Sequence, residues 1–199
     1  MSHVVAQSQE IIANIPGVVI AGGAARYIAM GAAAPEPADI DVFVLADTDA
    51  LMVENTLAGL GYHVYHRGSP HTTVFKKTDS YSLPVQVVLN DGNAGRVWVS
   101  AEDVIATFGW TTEMFAVVGD AVRVGFVIGP TAVDDTNARV LRVNHIIDPV
   151  RLAYRAVKYG RKGYNLAPSD MQSIFDAFDR ADPDDQARWR ELNASNKGY

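Results

Sequence analysis

Cysteine is absent from the chain, which excludes a disulfide framework and any thiolate metal site and fits a reducing compartment. Also missing is any apolar run near the ~18 residues that a bilayer-spanning helix needs. The opening residues, "MSHVVAQSQEIIANIPG", lack the basic region and apolar core of a signal peptide. A soluble cytoplasmic protein without a membrane partner is therefore expected. Positive charge is in deficit as well: 17 Lys and Arg against 23 Asp and Glu give a formal net charge of -6. No global field draws nucleic acid, so any polyanion site must be local. No repeat or low-complexity tract interrupts the 199 residues, and 48% hydrophobic content at that length suits one main core with a short appendage.

What is present is a succession of short apolar segments. Val4 to Ile15 carries Val5, Ile11, Ile12 and Ile15 at helical spacing. "GVVIA" from Gly17 reads as a buried strand, "GGAARYIAMG" as a tight turn feeding an Ala-rich helix, and "IDVFVLA" from Ile40 as a second strand. Thr48 or Asp49 can cap a helix that stops at Gly61. "YHVYH", "TTVFKK" and "LPVQVVL" read as strands, the last ended by "NDGNAG". Ser100 with Asp103 spells a capping box, and "WTTEMFAVVGDAVRVGFVIG" a hairpin turning at Gly119-Asp120. After Asp148-Pro149 the chain becomes basic and helical, with two further helices broken at Pro183. The expected fold class is α/β (α+β): a mixed sheet flanked by helices over residues 1–147, then a helical segment over 148–199.

Two features within this pattern carry chemistry. Gly22 and Gly23 stand between a strand and a helix N-terminus, where bare amides form a concave donor surface that favours phosphate, and Arg26 follows one turn later. Alone, such a pair is as well explained by turn geometry. Asp39 and Asp41 are spaced to share one face of a strand, and paired carboxylates repel unless a cation sits between them. Hard oxygen ligands suit Mg²⁺, which fills its remaining positions with water and substrate phosphates. A phosphate-type turn and a metal-type pair on successive strands are together what a nucleoside triphosphate requires.

The order Gly22-Gly23-Ala24-Ala25-Arg26, a short helix, then Asp39-Ile40-Asp41 resembles the signature of the DNA polymerase beta nucleotidyltransferase superfamily. It is most similar to the head of class II CCA-adding enzymes and bacterial poly(A) polymerases. "DPVRLAYRAVKYGRKGYNL" is similar to the segment joining head to helical neck in those enzymes, and "GWTTEMFA" is a weaker match to a third block. The resemblance implies a triphosphate held at Gly22 and Gly23 and steadied by Arg26, with two Mg²⁺ ions on Asp39 and Asp41. It implies in-line transfer of a nucleoside monophosphate to an acceptor hydroxyl.

The chain also departs from that pattern. Gln86 stands where the family places a third carboxylate, Tyr27 replaces an aspartate after the arginine, and Gly109 and Glu113 replace aspartate and asparagine in the third block. Glu113 or Asp91 is expected to supply the missing acid. Arg151, Arg155 and Lys158 form a basic cluster expected to bind the triphosphate or an RNA acceptor. The tail holds no Glu-x-x-Arg template, so CCA addition itself is not expected; the acceptor is an RNA end, a small molecule or a protein hydroxyl. The alternative is a catalytically silent module that keeps the fold and the nucleotide grip. His63, His66 and His71 are expected to be surface or packing residues, without a convergent face for a metal.

Overall fold

The computed structural model describes residues 2–69, 71–79, 81–90 and 97–194. The chain divides into two compact units. The first comprises Met1–Ala106 with Glu113–Gly129, and the second comprises Thr107–Thr112 with Pro130–Tyr199.

In the first unit, α1 (His3–Asn14) leads into β1 (Val18–Ala21), α2 (Gly23–Met30) and β2 (Ile40–Val44). Then follow α3 (Ala50–Gly59), β3 (His63–Ser69), β4 (Thr72–Lys76), β5 (Val85–Val88), α4 (Ala101–Ala106), β6 (Phe115–Gly119) and β7 (Val124–Ile128). The seven strands form one sheet in the order β3-β4-β5-β2-β1-β6-β7. Every neighbouring pair is antiparallel except β2 with β5, which run parallel. The mixed sheet flanked by helices is the architecture expected from the sequence.

Local chemistry sets these boundaries. The Asp49 carboxylate accepts from the Leu51 amide at 2.9 Å and so caps α3. Ser100 and Asp103 exchange the reciprocal bonds of a capping box, Asp103 N–H to Ser100 Oγ at 3.2 Å and Ser100 N–H to Asp103 Oδ2 at 3.1 Å. The β6–β7 turn closes on Asp120, whose carboxylate accepts from Val122 and Arg123. Strand β1 is buried at all four positions, as befits a strand with neighbours on both edges and helices packed against it, whereas β4 alternates, burying Thr73 and Phe75. Gln7 of α1 is buried and pairs twice with the Leu83 backbone, donating from Nε2 at 2.7 Å and accepting at Oε1 at 2.9 Å. That side-chain amide imitates a strand partner and fixes where β5 begins.

The second unit holds α5 (Ala132–Ala138), β8 (Val140–Leu141), α6 (Pro149–Gly160), β9 (Asn165–Leu166), α7 (Pro168–Asp179) and α8 (Pro183–Ala194). Its core gathers Trp110, Leu141, Leu152, Tyr159, Tyr164 and Ile174, with Tyr159 and Tyr164 edge to face at 5.2 Å. Asp148 caps α6 by accepting from the Arg151 amide at 2.8 Å, and Pro149 occupies the first turn, where a missing N–H costs nothing. The helical run after residue 148 and the break at Pro183 follow the sequence pattern. Helix α5 and the short β8–β9 pair were not anticipated. Among the described residues, no helix is long and apolar enough to cross a membrane.

One buried carboxylate ties this unit together. Asp135 accepts from Thr111 Oγ1 and Thr131 Oγ1, each at 2.7 Å, and from Arg142 Nε at 2.8 Å. Burial pushes its pKa up, but the three hydrogen bonds and the Arg142 charge outweigh that, and the net shift is downward. A folded pKa below the unfolded one gives stability that is complete above the ordinary aspartate value of ~3.9 and fades as the pH falls through the folded value. Asp135→Asn is expected to cost about 1–3 kcal/mol at neutral pH and to flatten the acid limb of stability, read by urea unfolding with tryptophan fluorescence across pH.

Candidate active site

The turn from β1 into α2 is set by backbone geometry that only glycine accepts. Gly22 has φ 76° and ψ -133° and caps α2 without offering a side-chain acceptor. Its N–H donates to the Phe115 carbonyl of β6 at 2.9 Å, and its own carbonyl accepts from the Arg26 amide at 2.9 Å. The first-turn amides of α2 therefore rely on an acceptor brought from elsewhere, at the positive end of the helix. Gly23 is different, because its φ is not positive and the nearest atom to a Cβ placed there is Pro37 Cβ at 3.9 Å. No fold requirement for glycine exists at that position.

Asp41 lies beside this turn. In the β1–β2 ladder it pairs with Ala21, and its Oδ2 is 3.6 Å from where a Gly22 Cβ would stand. In the parallel β2–β5 ladder its partner is Gln86, so a neutral amide stands beside Asp41. Asp39 is exposed and precedes β2 by one residue, so it belongs to the strand's approach and not to the strand itself. The structure thus gathers Gly22, Asp41 and Gln86 at the ends of adjacent strands.

The remaining expected residues are placed differently. Arg26 is only 2% exposed and Glu113, in the 3₁₀ turn Thr111–Glu113, only 3%. Both are buried and engaged with partners. Among the described residues, no three of His, Cys, Asp and Glu come together as a possible metal group. Asp91 lies outside the described residues. Arg151, Arg155 and Lys158 are exposed on α6 of the second unit. Gly109 has a packing reason of its own: a Cβ there would collide with Leu152, and its carbonyl accepts from the Asn144 amide at 2.8 Å.

The donor set fits one Mg²⁺ readily. One or two carboxylates with substrate phosphates are the usual protein share of a Mg²⁺ shell, whereas the Gln86 amide is a poor ligand. Charge gives an independent reason. A phosphate drawn to the α2 amides arrives next to the Asp41 carboxylate, and two anions that close need a cation between them. The Phe115 carbonyl that holds Gly22 and the Gln7 clamp on Leu83 shape this corner without any signal in the sequence pattern.

No family model matches the chain, and no curated protein sequence does. Solved structures do. The fold is similar to that of a tRNA-processing enzyme in an apo form, at TM-score 0.66 and 18% identity over 96% of this chain and 53% of that one. It is similar to a CCA-adding enzyme in complex with CTP, at TM-score 0.66 and 15% identity over 100% of this chain and 50% of that one. A tRNA nucleotidyltransferase complexed with a primer tRNA and an incoming ATP analogue matches at TM-score 0.60 and 19% identity, over 88% of this chain and 52% of that one. The chain has the nucleotidyltransferase fold of these tRNA-processing enzymes and spans about half their length.

The two glycines are expected to respond differently to a methyl group. Gly22→Ala should lose about 1–3 kcal/mol to backbone strain, whereas Gly23→Ala should melt at the parent temperature or slightly above it, as read by calorimetry.

Proposed function

We propose that the protein is a nucleotidyltransferase that moves a nucleoside monophosphate from a nucleoside triphosphate to an acceptor hydroxyl. The observation that carries this reading is the closeness of Asp41 to the Gly22 turn, within 3.6 Å of the missing Cβ, because it sets a carboxylate against amides suited to phosphate. The fold is one in which neighbours are seen with CTP or an ATP analogue.

In this reading the Gly23 side of the turn lets phosphate oxygens approach the α2 amides closely, since no side chain intervenes there. Asp39 and Asp41 would hold Mg²⁺, which supplies charge neutralisation on the triphosphate and makes pyrophosphate a better leaving group. The expected second ion finds no third acid among the described residues and would depend on substrate oxygens and water. Arg26, buried, keeps the first turn of α2 in place, and Arg151, Arg155 and Lys158 offer cationic contacts for phosphate or an RNA backbone. Displacement is in line at the α-phosphorus: the acceptor oxygen forms its bond to phosphorus as the bond to the bridging oxygen of pyrophosphate breaks.

RNA is the favoured acceptor class, because the neighbours include a complex with a primer tRNA. A second reading has an observation of its own: Gln86 beside Asp41 and the burial of Glu113 suit a module that binds nucleotide without turnover.

The test supplies the full chain with each α-labelled nucleoside triphosphate, Mg²⁺ and total RNA. Label transfer is expected, at least a hundredfold lower in Asp39→Ala/Asp41→Ala, and weakened in Gly23→Ala despite its intact fold. Calorimetric binding of triphosphate without transfer would support the silent module; absence of both would overturn the nucleotide assignment altogether.

A further inference from the structure

Strand register carries a row of side chains across the sheet from the candidate active site. Asp41 pairs with Gln86, Gln86 with Val74, and Val74 with His66, and residues directly opposite on neighbouring strands share a face. Lys76 lies two residues beyond Val74, so it and its partner His63 stand on that face as well. From Asp41 to His66 the row crosses three strand spacings, roughly 14 Å.

The face is covered on one side of Asp41 and open on the other. Toward β1 and β6, the residues that share it, Val19, Ala21 and Ala116, are at most 1% exposed. Toward β5, β4 and β3, Gln86, Val74 and Lys76 are half-buried, and His63 and His66 are exposed. Gln86 is unused by the fold: unlike Gln7, which spends both ends of its amide on Leu83, it has no hydrogen-bond partner among the described residues. A donor and an acceptor are thus left on the open face beside Asp41.

Charge and an aromatic ring specify what lies there. Strands β3, β4 and β5 contain no aspartate or glutamate, in a chain whose formal net charge is -6. Arg67 pairs with Thr73, on the other face, and is neutralised there by Glu54 at 2.9 Å. Lys76 has no carboxylate partner among the described residues; its Nζ sits 3.5 Å from the centroid of the Tyr65 ring. Tyr65 stands in the bulge between Val64 and His66 and is 63% exposed, so Lys76 takes one side of the ring and the other is open to a planar group. A cation beside an open aromatic ring, on strands free of acids, suits a phosphate and its base in a single strand. A duplex, whose bases are stacked on one another, has no base face to offer the ring.

We infer that this open half of the sheet is the track of the acceptor, and that the acceptor is the single-stranded terminus of an RNA. Its backbone meets Lys76 with His63 and His66, a base stacks on Tyr65, and the terminal ribose arrives at the Gln86 amide beside Asp41. The inference rests on the nucleotidyltransferase reading for the fate of the terminal hydroxyl, whereas the RNA contacts stand on β3 and β4 alone.

Fluorescence anisotropy of the full chain with a short unstructured RNA, and with the same RNA in a duplex, tests the track without any triphosphate present. The single strand is expected to bind more tightly than the duplex by about tenfold or more. Tyr65→Ala should weaken it about tenfold, Tyr65→Phe should restore it, and Lys76→Gln should lower the slope of log affinity against log salt by about 0.7. Triphosphate binding is followed separately by calorimetry, so that the two readings fail apart: the expected RNA results with no triphosphate bound support the track and overturn only the nucleotide assignment. An RNA that does not bind, a duplex bound as tightly as the single strand, or affinity indifferent to Tyr65→Ala and Lys76→Gln overturns the track. Label passing to protein and not to RNA in the transfer assay overturns it as well.

Discussion

The first unit is organised around a single hydrogen bond, from the Gly22 amide to the Phe115 carbonyl at 2.9 Å. It forms at the residue where the chain leaves β1 in a left-handed conformation, so it converts local backbone permissiveness into long-range order. By attaching the turn to β6 it fixes the direction of α2, and through the β1–β2 ladder it fixes the distance from that helix end to Asp41. A residue with a side chain at Gly22 would strain the turn and place its Cβ in contact with the Asp41 carboxylate at 3.6 Å. Fold and site share this constraint, which is why the helix terminus is left without a cap of its own.

The second unit answers a different problem. A buried carboxylate is costly to desolvate, and Asp135 offsets that cost only because three donors from separate parts of the unit converge on it. Thr111 and Arg142 each sit next to a fully buried core residue, Trp110 and Leu141 respectively. Their shared anchor adds to that packing, and the backbone bond from the Thr111 amide to the Arg142 carbonyl at 3.0 Å reinforces it.

Much of this architecture was legible in the sequence where a single physical rule governs the segment. Apolar strands bounded by glycines, the Ser100–Asp103 box and the Asp148-Pro149 helix start all carry their signal within a few residues. Helix α5 was missed because "AVDDTNA" has no apolar period; it is held instead by Asp135 and by the left-handed Arg139 that ends it. The site was legible in part. The pairing of Asp41 with the glycine turn and with Gln86 follows from strand register, which the sequence pattern constrains. The burial of Arg26 and Glu113 does not, since a charged residue gives no periodic sign of lying inside, and the packing role of Gly109 depends on Leu152, far along the chain. Asp39 falls one residue short of β2 because strand ends depend on which partner backbone is present.

The sheet order has a temporal consequence. The corner that brings Gly22, Asp41, Gln86 and Phe115 together is made by the three central strand pairs, and none joins neighbours in sequence beyond β1 with β2. The parallel β2–β5 ladder closes over the whole of α3 and the β3–β4 hairpin, and Ile20 pairs with Val117 across most of the unit. Loop-closure entropy makes such contacts slow relative to hairpins and helices. The corner of Gly22, Asp41, Gln86 and Phe115 is therefore expected to close later in folding than the local helices and the outer hairpin.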